Sequence, residues 1–299
     1  MQLDIGAPAA TSITLPFGNA KRSGERIFAA AVWFAAALVA GFFLWIVFDI
    51  VSHGFAKLSW AFLTEAPKSS GRKGGISTIL VSTLLILAVT IAVAVPLGVG
   101  VAVWLSEFSR RSSRTARSIN LALDVLAGIP SIVFGLFGNA FFCVFLGLGF
   151  SIVSGGLTLA CMVLPILIRA TESGLSSVPQ DWRQGAAALG LTKAAALRHV
   201  LLPAAAPAIT AGLLLGIGRA VAETAALVFT SGYVDRMPES LMDSGRSLAV
   251  HIYDLSMNVS GGDQAAYASA LVLIALLIGI NAFAMVLSNR FLKSRIQHA

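Results

Sequence analysis

Residues 125–168 read VLAGIPSIVFGLFGNAFFCVFLGLGFSIVSGGLTLACMVLPILI, 44 positions without an Asp, Glu, Lys or Arg. As a helix rising about 1.5 Å per residue this run would reach roughly 66 Å, twice the roughly 30 Å of bilayer hydrocarbon. It therefore has to cross, reverse and cross again. The reversal falls where glycine and serine gather, at Gly147, Gly149, Ser151, Ser154, Gly155 and Gly156, and predicts spans at about 119–146 and 152–170. Pro130, with Gly128, Gly135, Gly138 and Ser131, allows a local kink and close helix contact in the first of the two.

Four more apolar runs flank this pair, at 27–50, 76–105, 204–230 and 265–287, and Pro96 is expected to kink the second of them. The run at 27–50 exceeds the roughly 7–15-residue core of a secretory signal and is expected to be retained. Composition agrees. Of 299 residues, 57% are hydrophobic and 12% charged, with a mean hydropathy of +0.85, against roughly 45–50% and about 25% in soluble domains. Aqueous enzyme folds are excluded, and the expectation is an all-α integral membrane protein with six transmembrane helices.

The net charge of +7 does not point to nucleic acid, because the basic residues lie between apolar runs rather than in a stripe with interleaved aromatics. They report topology instead. Fourteen Lys and Arg fall in the N-terminal segment, the second-to-third and fourth-to-fifth connections and the tail, and six fall in the connections on the other side. The positive-inside rule then puts both termini in the cytoplasm. Trp45, Trp60 and Trp104 fit interface anchoring. Cys143 and Cys161 both sit in apolar stretches, and His53, His199, His251 and His298 show no i, i+4 pairing, so neither a metal nor a cofactor is expected. No internal repeat is evident, which weighs against a secondary transporter with duplicated halves.

The connection at 173–203, SGLSSVPQDWRQGAAALGLTKAAALRHVLLP, is far longer than a turn requires. Its Ala-rich part from Asp181 to Leu189 is helical by propensity, Gly190 breaks it, and Thr192 can cap a second segment that ends at Pro203. Two short helices divided by a glycine could offer a knob to another protein or lie in the headgroups as an interfacial helix.

Arg219 and Glu223 stand inside the fifth run. An Arg facing lipid near the bilayer centre costs about 2.5–3.5 kcal/mol or more, so such residues face a cavity or a partner. Four residues apart on a continuous helix the two would share a face. Two readings are open: an ion pair that fixes helix packing, or a charge in a path that an oxyanion follows. Asp124 reads as an interfacial or capping acid, and Glu107 and Glu172 as solvated helix-end charges.

The long connection resembles the EAA loop of ABC importer permeases, in which Glu-Ala-Ala, three residues, Gly, nine residues, an aliphatic, one residue and Leu-Pro recur. Gly190, Val200, Leu202 and Pro203 fall in register; Gln184, Gly185 and Ala186 occupy the Glu-Ala-Ala positions, so the acid is missing. The segment DVLAGIPSIVFGLFG (124–138), with GGI (74–76) and GRAVAETAAL (218–227), is similar to the PstA-type permeases of phosphate importers, and the likeness covers most of 72–290.

That resemblance implies a type I ABC importer transmembrane domain in a bacterial inner membrane. Its parts are a cytoplasmic segment 1–26, a first span 27–50, a permease core 72–290 with coupling loop 173–203, and a cytoplasmic tail 291–299. It implies that Arg219 and Glu223 line the phosphate path and that the loop seats in an ATPase. No P-loop occurs in the chain, so hydrolysis would belong to separate ATP-binding subunits. The other implied partners are a second, homologous permease and an extracytoplasmic phosphate-binding protein. A permease for another oxyanion or small solute stays open, as does a secondary transporter or membrane-embedded enzyme using the Arg219/Glu223 pair.

Overall fold

The structure is a computed structural model that describes the backbone of residues 19–109 and 113–296, and the side chains of 25–109 and 113–286. Residues 1–18, Arg110, Arg111 and 297–299, which carry part of the charge count, lie outside the described residues, as do the side chains of Lys21, Arg22, Arg290, Lys293 and Arg295. The chain divides into two units, 1–49 and 50–299. What is described of the first belongs to one helix, Asn19–Gly54, with the rings of Phe42 and Trp45 packed edge to face at 5.6 Å.

Among the described residues, five helices are long and apolar enough to cross a membrane: Glu25–Lys57, Ser77–Phe108, Ile152–Ser177, Lys193–Val221 and Asp263–Val286. A sixth crossing exists if the bent pair Arg114–Gly128 and Ser131–Phe145 counts as one. Apart from two-residue strands at Pro67–Lys68 and Lys73–Gly74, the elements among the described residues are helical.

The core of the second unit is the contact between Ser77–Phe108 and Ile152–Ser177, with Lys193–Val221 packed on the latter. Ile86, Leu159, Val163, Ile217 and Val221 are buried there. Two threonines inside this apolar region satisfy their hydroxyls on their own helix: Thr83 Oγ1 donates to the Ile79 carbonyl at 2.7 Å and Thr90 Oγ1 to that of Ile86 at 2.8 Å. Gly156 brings two backbones together, since a Cβ there would lie 2.5 Å from Val89 Cγ1, and Thr90 Oγ1 also reaches the Gly156 carbonyl at 3.2 Å. Ser151 caps Ile152–Ser177, its Oγ accepting from Ser154 N at 3.1 Å.

Two expectations are corrected. The span expected at 119–146 is two helices at 107° to one another. Ile129 and Pro130 separate them; Pro130 has no N–H to donate, and the residue before a proline is driven to extended backbone, as Ile129 is at φ −73° and ψ 130°. The reversal falls where expected, ahead of a fourth span that begins at Ile152: Gly147 and Gly149 make it at φ +70° and +60°, and Gly155 and Gly156 lie inside the next helix. The fifth span begins at Lys193 and stops at Val221 instead of running from Ala204 to Thr230. Pro96 lies inside the helix Ser77–Val103, which winds into a π-helical turn at Trp104–Phe108 at its end.

The ends of the bundle differ. At one lie the short strands, the 230–247 connection and helix Leu248–Met257. At the other lie the π-turn, helix Arg114–Gly128 and the 178–200 loop.

Candidate functional site

The interrupted third and fifth spans meet. After Val221 the chain passes through Ala222, Glu223 and Thr224 into a single helical turn, Ala225–Val228, which packs on Ser131–Gly138. A Cβ on Gly135 would stand 2.8 Å from the Ala226 Cα, so only glycine permits this approach. Asn139 Nδ2 donates to the Phe229 carbonyl at 2.8 Å, supplying a partner to backbone that the break has released.

Arg219 sits in the last turn of Lys193–Val221, two residues before its end, and is exposed. Among the described residues no carboxylate lies within 4.0 Å of its guanidinium. Glu223 is half-buried, and its Oε1 accepts from Ala226 N at 3.2 Å, capping the short turn that follows. Glu223 therefore lies beyond the helix that holds Arg219, and the break removes the shared helical face that their spacing suggested. Chemically the arrangement is a free guanidinium beside a helix interruption, with a carboxylate inside the interruption held by a backbone N–H.

At the other end, the loop contains one separate helix, Gln180–Ala188, started by Pro179. Gly190 reverses the chain at φ +73°, a conformation strained for any residue with a Cβ. Thr192 Oγ1 accepts from Ala195 N at 3.2 Å, so the cap forms as expected. The second segment is not a separate helix ending at Pro203. It is the first part of Lys193–Val221, running through a π-turn at Leu197–Leu201, and Pro203 is tolerated near the start of the regular helix beyond that turn. Gln184 and Gly185 are exposed, Ala186 is buried, and Val200, Leu202 and Pro203 are half-buried. Trp182, Leu189 and Leu191 form an apolar outer surface, Leu189 being 81% exposed.

Two ion-pair groups tie this end together. Arg169 donates to Asn120 Oδ1 and Asp124 Oδ1, both at 2.7 Å, and to Glu172 Oε2 at 3.2 Å, fastening helix Arg114–Gly128 to Ile152–Ser177. Arg183 Nη2 donates to Glu107 Oε1 at 2.8 Å. Glu107 and Glu172 are thus paired and partly buried, not the solvated charges that their places at helix ends suggested.

The opposite end holds a group that sequence reading missed. Arg246, 8% exposed, donates through Nε to the Tyr233 carbonyl at 2.7 Å and pairs through Nη1 with Asp254 Oδ2 at 3.1 Å. His251 Nδ1 lies 3.4 Å from the same Nη1. A guanidinium only donates, so Nδ1 is the acceptor and the ring proton sits on Nε2. That nitrogen is buried without a partner, close to Gly71. Burial first, and then the Arg246 charge, push the His251 pKa down to about 4 against a weaker upward pull from Asp254. Arg246, His251 and Asp254 recur at i, i+5 and i+8, but nothing in that spacing separates them from solvated loop residues.

The family profile of binding-protein-dependent transport system inner membrane components matches residues 94–296. The chain belongs to that family, the membrane permeases of ABC importers. It is 32% identical to the phosphate transport system permease protein PstA of Mycobacterium leprae, over 99% of this chain and 98% of that one. A probable ABC transporter permease protein of Bacillus subtilis, YqgI, is also 32% identical, over 81% of this chain and 88% of its own length. Among solved structures, a bacterial ABC transporter involved in the import of the acidic polysaccharide alginate superposes with a TM-score of 0.59 at 15% identity, covering 90% of this chain and 99% of that one. That likeness shows the fold, a type I ABC importer transmembrane domain.

Proposed function

We propose that this chain is one half of the pore of an ATP-driven phosphate importer, with both termini in the cytoplasm. The observation that carries the reading is the end-to-end likeness to a PstA-named permease, 32% identical over 99% of the chain. The exposed, unpaired Arg219 at the helix break supports it. A guanidinium presents a planar fork that matches two oxygens of a phosphate, and Glu223 keeps negative charge nearby, which favours release of the anion.

The loop around 179–200 is the seat for a separate ATPase subunit. Its outer surface is Trp182, Leu189 and Leu191, and Gln184 takes the place of the acid of the EAA pattern. ATP closes the ATPase pair, the loop follows, and the half-spans rearrange between inward-open and outward-open states. A loaded phosphate-binding protein docks on the end carrying 231–262, and a second, homologous permease completes the pore.

Labelled phosphate uptake by vesicles that contain this chain with its partner subunits tests the reading. Uptake is expected to need ATP and the binding protein, and preference for sulfate or molybdate over phosphate would overturn the substrate. Leu189→Asp tests the loop. It should cut co-purification of the ATPase by about 30-fold, the loss of an interface anchor of about 2 kcal/mol. Undiminished co-purification would place the ATPase contact elsewhere.

A further inference from the structure

We propose that Arg183 is a positioning residue that, with Glu107, makes the coupling-loop helix move as one body with the ends of the second and fourth spans. The inference rests on the ATPase-coupling reading of the loop.

Four donor contacts carry it. Arg183 Nη1 donates to the Val178 carbonyl at 2.7 Å, and Nη2 donates both to the Leu175 carbonyl and to Glu107 Oε1, each at 2.8 Å. Nε reaches Glu107 Oε2 at 3.5 Å. Leu175 is in the last turn of Ile152–Ser177 and Val178 is its cap, so a cation from the next helix occupies the carbonyls that end the fourth span. Glu107 belongs to the π-turn that ends the second span. One planar group thus joins three elements, a geometry that a lysine ammonium cannot reproduce. The pair is 21% and 17% exposed, so water competes weakly for it.

On the remaining side the coupling-loop helix packs on the start of the fifth span, Lys193–Leu201. A cleft of about 290 Å³ opens beside this contact and the clamp, lined by Glu107, Phe108 and Arg183 as well as by Ala187, Leu191 and Leu197. Leu197–Leu201 is itself π-helical, a wider winding that is common at functional sites. A push on Gln180–Ala188 is transmitted stiffly to Glu107 and to the end of the fourth span. It reaches Arg219, near the far end of the fifth span, through that turn and through the buried contact of Leu175 and Val178 with Leu201 and Ala205.

The experiment uses the whole transporter in proteoliposomes with its ATPase and phosphate-binding protein, and compares Arg183→Gln, Arg183→Lys and Glu107→Gln. Three readings are taken: ATPase subunit retained, ATP hydrolysed, and labelled phosphate imported per ATP. The ATPase is expected to stay bound and to hydrolyse ATP. Phosphate imported per ATP falls by about tenfold in both Arg183 variants, within the range that couplings between sites span, and less in Glu107→Gln, where an acceptor oxygen and the carbonyl contacts remain. A merely structural role would lower assembled complex, hydrolysis and import in proportion. An unchanged ratio in Arg183→Gln overturns the proposal. If that variant does not assemble, Glu107→Ala is read instead, since it spares the two carbonyl contacts, and an unchanged ratio there has the same meaning. Failure of the underlying coupling reading looks different: it appears as Leu189→Asp leaving ATPase retention intact.

Discussion

Arg219→Gln is expected to abolish phosphate uptake while the subunit stays folded and joined to its ATPase. The side chain is exposed at the end of Lys193–Val221 and has no ion pair among the described residues. Its removal should therefore shift stability by no more than about 0.5 kcal/mol, as for an ordinary surface substitution. Two charge-assisted hydrogen bonds to an anion, at about 1.5–3 kcal/mol each, would go with it. That is a loss of about two orders of magnitude or more in passage rate. Arg219→Lys retains the charge and loses the fork, and should fall in between. Had the guanidinium been locked to Glu223 as a packing device, Arg219→Gln would instead strand a carboxylate and weaken the fold. Since Glu223 already caps Ala225–Val228, transport and stability separate. Labelled uptake together with ATPase co-purification checks this, and full uptake by Arg219→Gln removes the residue from the path.

The second large effect is on stability. Arg246→Met should destabilise the protein by about 3–5 kcal/mol, the cost of leaving a buried partner charge uncompensated. Asp254, with 14% of its side chain exposed, would lose its cation, and the Tyr233 carbonyl would lose its donor. The unfolding midpoint in detergent is the measurement, and an unchanged midpoint would mean that water repairs the cluster.

The same cluster sets a pH dependence. His251 is held at about 4 in the folded protein, against about 6.5 when unfolded. Between those values the unfolded chain binds the extra proton, so its contribution is intact above pH 6.5 and is lost as the pH falls towards 4, about 3 kcal/mol in all. His251→Gln should flatten that part of the pH–stability curve. A wild-type slope in the variant would assign the titration to another group.

How much of this was legible beforehand depends on the range of the interaction concerned. A 44-residue uncharged run has no aqueous solution, and Pro130 cannot continue a helix, so the crossings and one bend follow from chain chemistry. The loop around Gly190 was readable because a left-handed turn and an N-cap are made within a few residues. The second break was hidden. Residues 218–227 are Ala-rich and helical by propensity, and they are interrupted where Gly135 admits Ala226 and Asn139 reaches the Phe229 carbonyl. The partners of Glu107 and Arg246 were equally out of sight. Arg183 is 76 positions from Glu107. The i, i+8 spacing of Arg246 and Asp254 becomes a buried pair only once helix Leu248–Met257 packs inward.

The amino-acid order alone determined a membrane-spanning helical chain, its approximate crossings and the loop that resembles an ATPase seat. These depend on transfer from water to hydrocarbon and on short-range backbone preferences, which each segment carries in itself. Only the tertiary structure decided that Arg219 stands free of Glu223, that Arg183 clamps three elements and that His251 is buried beside a cation. Such outcomes are set by which distant groups share a small volume of low dielectric, and no local pattern encodes that.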